Sequence, residues 1–151
     1  VTGLAAVRAV PGRLQFKRGL GGAWLIDDSY NANPSSVRAG IEVLAQLDGK
    51  KWLVLGDMAE LGDFATESHA EIGAFARAHG VERLFATGAL TAAAVESFGA
   101  GGEWFPDAQA LAAALIARAD ADVRMLIKGS RMNRLERVVE ALTQAAGPRA
   151  K

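Results

Sequence analysis

Three short stretches of this 151-residue chain carry residue types that can do chemistry. The first runs Asp27-Asp28-Ser29-Tyr30-Asn31-Ala32-Asn33-Pro34, the second is the Gly56-Asp57-Met58-Ala59-Glu60-Leu61-Gly62-Asp63 loop, and the third is Lys128-Gly129-Ser130-Arg131-Met132-Asn133-Arg134. Carboxylates and amides in the first accept from hydroxyls and donate to polar ligand atoms, and a tyrosine ring packs on a sugar or base face. The third adds a lysine and a guanidinium, which can grip a carboxylate with two parallel hydrogen bonds.

Each stretch follows an apolar run that reads as a strand, and the elements between them alternate. Leu14 to Arg18 and Ala23 to Ile26 read as two strands joined by a tight turn through Gly19-Leu20-Gly21-Gly22. Asn33 then caps a helix with Pro34 in its first turn, where a missing amide hydrogen costs nothing, and Val37, Ile41, Leu44 and Leu47 give it one apolar face. Lys51 to Gly56 is a continuous apolar run ending in glycine, the mark of a strand covered on both faces. A loop over Asp57 to Thr66 leads to a helix ending near His79, with Ser68 and Glu71 spaced as a capping box and Gly80 as its stop. Arg-Leu-Phe-Ala-Thr-Gly (83–88) repeats the strand-then-glycine pattern before an alanine-rich helix. Glu-Trp-Phe-Pro (103–106) is a short strand, and Asp107 caps a helix carrying Leu111 and Leu115. Val123 to Ser130 is the last strand. The final helix carries Leu135, Val138, Val139 and Leu142 and is expected to stop at Gly147-Pro148, with a frayed tail beyond.

This alternation predicts an α/β fold: a mostly parallel sheet with helices on both faces and a hairpin strand at the amino end. In such sheets ligands bind beyond the carboxyl ends of the strands, where strand order reverses. The three polar stretches would share that rim.

Composition bounds the alternatives. Half the residues are hydrophobic and 23% are charged, which is globular rather than disordered. Seventeen basic residues balance seventeen acidic ones, so no global field recruits nucleic acid or an anionic membrane. The absence of cysteine excludes disulfides, thiolate metal sites and a cysteine nucleophile, and suits the cytoplasm. No apolar run approaches the roughly 20 residues of a membrane helix. The amino end lacks an initiating methionine and a signal-peptide pattern, so the chain reads as one domain, residues 1–151, of something longer. No G-x-G-x-x-G opens a helix, no G-x-x-x-x-G-K-[ST] is present, and no G-x-S-x-G elbow occurs.

Every motif also has a plain structural reading. Asp27 and Asp28 serve as turn formers, Asn31 and Asn33 as helix caps, Asp57 and Glu60 as a solvated loop, and Lys128 and Arg131 as surface charges. His69 has no second ligand at metal spacing, so a packed or exposed histidine is the simpler reading. From residues alone the chain is an α/β domain with a polar binding rim and no complete catalytic set. A non-catalytic ligand- or protein-binding module fits that description as well as an enzyme fragment.

The order Pro-Gly-Arg-Leu-Gln (11–15), Leu-Ile-Asp-Asp-Ser-Tyr-Asn-Ala-Asn-Pro-Ser-Ser (25–36), Val-Leu-Gly-Asp-Met-Ala-Glu-Leu-Gly (54–62) with Ser-His-Ala-Glu-Ile-Gly (68–73), and Leu-Ile-Lys-Gly-Ser-Arg-Met-Asn-Arg-Leu-Glu (126–136) resembles the carboxy-terminal domain of the Mur ligases. The resemblance runs from Gly3 to about Leu142. It implies a Rossmann-like domain that closes over a site shared with two further domains of the same chain, one binding a UDP-sugar and one carrying the phosphate-binding loop. It also implies an ATP-dependent amide ligase of peptidoglycan precursor synthesis. That enzyme would join D-alanyl-D-alanine to UDP-N-acetylmuramoyl-tripeptide through an acyl phosphate, and this domain alone would be inactive. A relative from the wider superfamily, of the folylpolyglutamate synthetase kind, is the other enzyme reading.

Carried over by motif, the resemblance makes Arg13 a contact to the ATP phosphates and Asp28 an acceptor for ribose hydroxyls. Tyr30, Asn31 and Asn33 border the nucleotide. Lys128, Ser130 and Arg131 are candidates for the dipeptide, and Asp57, Met58, Glu60 and His69 lie near the amine-side cleft. ATP and Mg2+ are the implied cofactors, with the metal held mainly outside this chain. The implied enzyme acts as a cytoplasmic monomer.

Overall fold

The computed structural model describes residues 15–28, 33–58, 61–129 and 134–150. Six strands form one sheet: β1 (Gln15–Arg18), β2 (Trp24–Asp28), β3 (Lys50–Leu55), β4 (Arg83–Thr87), β5 (Gly102–Phe105) and β6 (Val123–Lys128). Their order is β1-β2-β6-β3-β4-β5. Only the β1–β2 hairpin is antiparallel; β2–β6, β6–β3, β3–β4 and β4–β5 are parallel. The helices are α1 (Pro34–Ala45), α2 (Ala65–Ala78), α3 (Thr91–Phe98), α4 (Ala108–Arg118) and α5 (Glu136–Ala150).

Side chains alternate along each strand, so one strand feeds two cores. Leu53 and Leu55 of β3 join Ile41, Leu44, Ile72 and Phe98 beneath α1, α2 and α3. Trp52 and Val54 join Leu111, Leu115, Val138 and Leu142 beneath α4 and α5. The run expected to be buried on both faces is therefore buried on both. Each fully buried leucine or isoleucine contributes about 1.5–3 kcal/mol of transfer free energy, which is why the interior strands read as unbroken apolar runs.

The chain runs from β2 past β6 to β3, then outward through β4 and β5, and returns beneath the opposite face to fill the gap with β6. Strand order thus reverses around β2, β6 and β3, the position where open α/β sheets hold their ligands.

Local chemistry fixes the first helix as expected. Asn33 Oδ1 accepts from Ser36 N at 2.9 Å, and Ser36 Oγ accepts from Asn33 N at 3.2 Å, a reciprocal capping box ahead of Pro34. Asp107 caps α4 by accepting from Ala110 N at 2.8 Å. Two expectations are corrected. Ser68 and Glu71 do not cap α2, because that helix starts earlier, at Ala65. A short 3-10 turn over Gly62–Phe64 leads into it, so Phe64 N bonds to Leu61 O and Ala65 N to Gly62 O. Backbone acceptors there replace a capping side chain, and Glu71 instead pairs with Arg38. The last helix does not stop at Gly147-Pro148 but continues to Ala150. A proline within the last turn forfeits a single helical hydrogen bond, which a helix end tolerates better than a helix middle.

Candidate functional site

The carboxyl ends of β2, β6 and β3 meet at the start of α1. The two aspartates closing β2 occupy successive register positions: Asp27 lies opposite Ile127 and Asp28 opposite Lys128. The Asp27 carboxylate is claimed by Lys17 of β1, with Nζ 2.9 Å from Oδ2. It braces the hairpin rather than facing a ligand alone.

Lys128 closes β6 and is almost wholly enclosed, 1% exposed, so the surface-charge reading does not hold. Among its contacts, Nζ donates to Ser36 Oγ at 3.2 Å. The same hydroxyl completes the α1 cap, so the ammonium, the Ser36 hydroxyl and Asn33 form one chain at the β2–α1 corner. Burying an ammonium costs several kcal/mol unless it is hydrogen-bonded, so a cation in this place needs the polar corner around it. Gly129 follows, where a Cβ would collide with Leu135 and come within 3.3 Å of the Gly56 Cα. Absence of a side chain lets the β6 and β3 ends approach.

Beyond β3 the loop is pinned from two directions. Asp57, 6% exposed, accepts from Leu90 N at 2.9 Å and Thr91 N at 3.2 Å. Helix α3 has leucine at its own N-cap position and no capping side chain of its own. Asp57, 33 residues earlier, supplies the carboxylate that a helix amino end favours. Gly88 makes room: its φ is +114°, and a Cβ there would lie 2.5 Å from the Asp57 carboxylate. His69, fully buried in α2, accepts from Met58 N through Nε2 at 2.8 Å, while Nδ1 lies 2.6 Å from Ala65 O. The Nδ1–H tautomer of the neutral ring satisfies both bonds. His69 is thus a packed residue that holds Met58 in place.

The same rim opens into a cavity of about 720 Å³ between α4 and α5, beside the end of β4. Thr87, Gln109, Asp107, Arg134 and Arg137 supply its polar lining, with Ala112, Ala113 and Ile116 among its apolar walls. Sequence reasoning passed over Arg134 and Arg137. Arg137 lies in the first turn of α5 and Arg134 two residues before that helix, so their charge beside the Lys128-to-Arg134 stretch was the available signal.

Of the other expected site residues, Arg13, Tyr30, Asn31, Glu60, Ser130 and Arg131 lie outside the described residues. Asp28 is described as the last position of β2. The structure therefore brings Asn33 and Lys128 together, with the Asp28 backbone beside them, and sets Asp57 and Met58, the latter held by His69 of α2, in the pinned loop after β3, the strand next to β6. Resolved pKa shifts fall elsewhere. Lys50 is raised and Asp120 lowered by their mutual hydrogen bond and charge, at the opposite ends of the strands. Arg118 is raised by its bond to Glu103. Among the described residues no group of three metal-ligating side chains converges, and no helix is long and apolar enough to cross a membrane.

Comparison with known proteins supplies the family. Residues 12–131 match the model of the Mur ligase, glutamate ligase domain. The UDP-N-acetylmuramoyl-tripeptide–D-alanyl-D-alanine ligase of Escherichia coli (strain K12) is 40% identical over 144 residues, covering 94% of this chain and 32% of that protein. The chain thus spans about a third of that relative's length. Among solved structures, the MurF ligase from Thermotoga maritima in complex with ADP superposes with a TM-score of 0.79 at 30% identity, over 96% of this chain and 33% of that one. A MurF from Acinetobacter baumannii gives 0.80 at 31% identity, over 95% of this chain and 33% of that one. Fold, motif order and family model agree: the chain belongs to the Mur ligases, as one of their glutamate ligase domains.

Proposed function

We propose that this chain is the closing domain of an ATP-dependent ligase that joins D-alanyl-D-alanine to UDP-N-acetylmuramoyl-tripeptide in peptidoglycan precursor synthesis. The observation that carries the reading is the polar corner at the strand-order reversal, formed in a chain 40% identical over 144 residues to a ligase of that name. A domain of this kind supplies groups to a nucleotide held mainly by a neighbouring domain, and its closure excludes water from a hydrolysable acyl phosphate.

The residues at the corner suit a nucleotide. Asp28, beside the buried Lys128, offers a carboxylate to ribose hydroxyls, and Tyr30 and Asn31 border the same ligand. Asn33 is occupied as a helix cap through Oδ1 and contributes at most its amide hydrogens. Arg13 brings a permanent positive charge toward the phosphates, where it offsets negative charge as the phosphoryl group moves. ATP supplies the phosphoryl group that activates the tripeptide carboxylate. Mg2+ belongs to the neighbouring phosphate-binding domain. Ser130 and Arg131 remain candidates for the dipeptide side, with Glu60 in the loop that Asp57 and His69 anchor. The ligase would work in the cytoplasm, where its nucleotide substrates are made.

The test is kinetic. In the longer protein carrying this chain, Asp28→Ala should raise the Michaelis constant for ATP by roughly ten- to a hundredfold, the effect of losing a charged acceptor worth about 1.5–3 kcal/mol. Unchanged constants for ATP together with unchanged turnover would contradict the nucleotide assignment. The 151-residue chain alone should fold and form no amide. Turnover by that chain would overturn the closing-domain reading.

A further inference from the structure

Lys128 ends β6 beneath the amino end of α1. Leu126, two residues earlier on the same face of the strand, meets α1 at Gly40, where a Cβ would lie 3.0 Å from Leu126 Cδ2. That close approach carries the first turn of α1 over the end of β6, and Lys128 Nζ reaches Ser36 Oγ at 3.2 Å. The Ser36 hydroxyl is then saturated. It accepts from Lys128 Nζ and from Asn33 N, and it donates to Asn33 O at 3.2 Å. Its one hydrogen and two lone pairs are all engaged, which leaves the hydroxyl a single orientation.

Folding alone does not favour a cation in this place. The side chain is 1% exposed, and a helix amino end carries partial positive charge. A methionine would fill a similar volume without either cost. Nor does direct contact with a ligand explain the lysine, because an ammonium so enclosed presents almost no surface. Its distinction is where it sits in the topology. The chain leaves β2 at Asp28, which pairs with Lys128 in the parallel ladder, and enters α1 after Asn33, which Lys128 holds through Ser36. Both flanks of the link Ser29-Tyr30-Asn31-Ala32 are thus tied to one residue of β6. From the other side, Gly56 N donates to the Lys128 carbonyl at 2.8 Å and fixes that residue against the end of β3.

We infer that Lys128 is a positioning residue for the nucleotide: through Ser36 it fixes Asn33, and with it the span of the corner from Asp28 to Asn33, while touching neither ATP nor the dipeptide. The inference rests on the nucleotide reading above and takes Lys128 out of the dipeptide candidates. Asn33 Oδ1 is held on Ser36 N, so the exposed amide has one orientation in which to offer its hydrogens. A corner whose two ends are already set loses less freedom when a ligand arrives, and the saving appears as affinity for that ligand. The effect belongs to ATP alone, because the acceptor dipeptide makes no use of the β2–α1 corner.

The experiment measures ligation by the longer protein, varying ATP and D-alanyl-D-alanine separately. Lys128→Met should raise the Michaelis constant for ATP roughly tenfold, with the dipeptide constant and turnover at saturating ATP within about threefold of wild type. Ser36→Ala, at a half-buried position where a smaller side chain leaves the fold intact, should raise the ATP constant by roughly three- to tenfold. Ser36→Thr keeps the hydroxyl and should restore the wild-type value. Since the two residues act in one chain, the double variant should be no worse than Lys128→Met alone. A general loss of stability would lower turnover without this split between substrates. Asp28→Ala in the same assay separates the two readings. If it raises the ATP constant while Ser36→Ala leaves it at the wild-type value, this inference fails and the nucleotide corner stands. The inference also fails if Lys128→Met weakens the dipeptide and spares ATP, or if the Lys128 and Ser36 effects multiply. An ATP constant unchanged by Asp28→Ala overturns the nucleotide corner, and this role with it.

Discussion

Between α2 and α3, Gly73 lies so close to the Ala94 carbonyl oxygen and the Ser97 hydroxyl that a Cβ would overlap both. Ser97 Oγ donates across the contact to Ala70 O at 2.5 Å. Between α4 and α5, by contrast, Ala112, Ala113 and Ala141 face a cavity. Small side chains on the first face bring two backbones together; on the second they leave room. The difference teaches that alanine and glycine content does not by itself specify tight packing. What the helices do with the saved volume depends on whether a backbone acceptor or an open mouth lies opposite.

The largest expected effect breaks the closed face. Gly73→Leu should destabilise the chain by about 3 kcal/mol, because the new side chain meets a backbone carbonyl that cannot rotate away. Leaving glycine returns only about 0.8 kcal/mol of helix propensity. Ala113→Leu, on the cleft side, should change stability by no more than about 0.5 kcal/mol. Urea denaturation with unchanged slope reads both. Equal costs at the two positions would mean that the cleft is already packed and the contrast is false.

Next come the two anchors of the β3 loop. His69→Ala removes the acceptor for the buried Met58 amide and opens a void, so a loss of about 2–3 kcal/mol is expected. Faster hydrogen exchange at Met58 would locate the damage. Asp57→Ala should cost about 1–2 kcal/mol through the uncapped start of α3, and Asp57→Asn less, since its carbonyl can still accept. If Asp57→Ala left stability unchanged but impaired ligation in the longer protein, Asp57 would be a ligand group and not a distant cap.

How much of this was legible depended on the distance over which each partner acts. The Asn33–Pro34 start of α1 and the two-faced burial of β3 were readable because the decisive residues are neighbours in the chain. The start of α2 was misread because a 3-10 turn supplies backbone acceptors, which leave no side-chain signature. Asp57 looked like a loop residue because the amides it caps are 33 positions away. The cleft was invisible for a different reason: alanines that line space and alanines that fill it have the same letter. Among the candidate residues, types were readable throughout, but which charges are enclosed was not, as Lys128 shows.

The smallest effect sharpens the comparison by testing the end of the sheet that carries no proposed ligand. Lys50 Nζ lies 2.7 Å from Asp120 Oδ2, joining the amino end of β3 to the loop before β6. The hydrogen bond from Lys50 lowers the Asp120 pKa below its ordinary value, and the same bond raises that of Lys50. A carboxyl group depressed in the folded state stabilises above its unfolded pKa, and that contribution disappears as pH falls through the folded value. For Lys50 the sign is opposite: its contribution is present below the ordinary lysine pKa and is lost as pH rises beyond it. Both groups are solvent-exposed, so water and salt screen the pair strongly. Lys50→Met should therefore leave the midpoint of unfolding nearly unchanged at neutral pH and flatten slightly its dependence on acid. A large loss at neutral pH would make this pair a true anchor, and the amino ends of the strands would then be as tightly organised as the rim opposite.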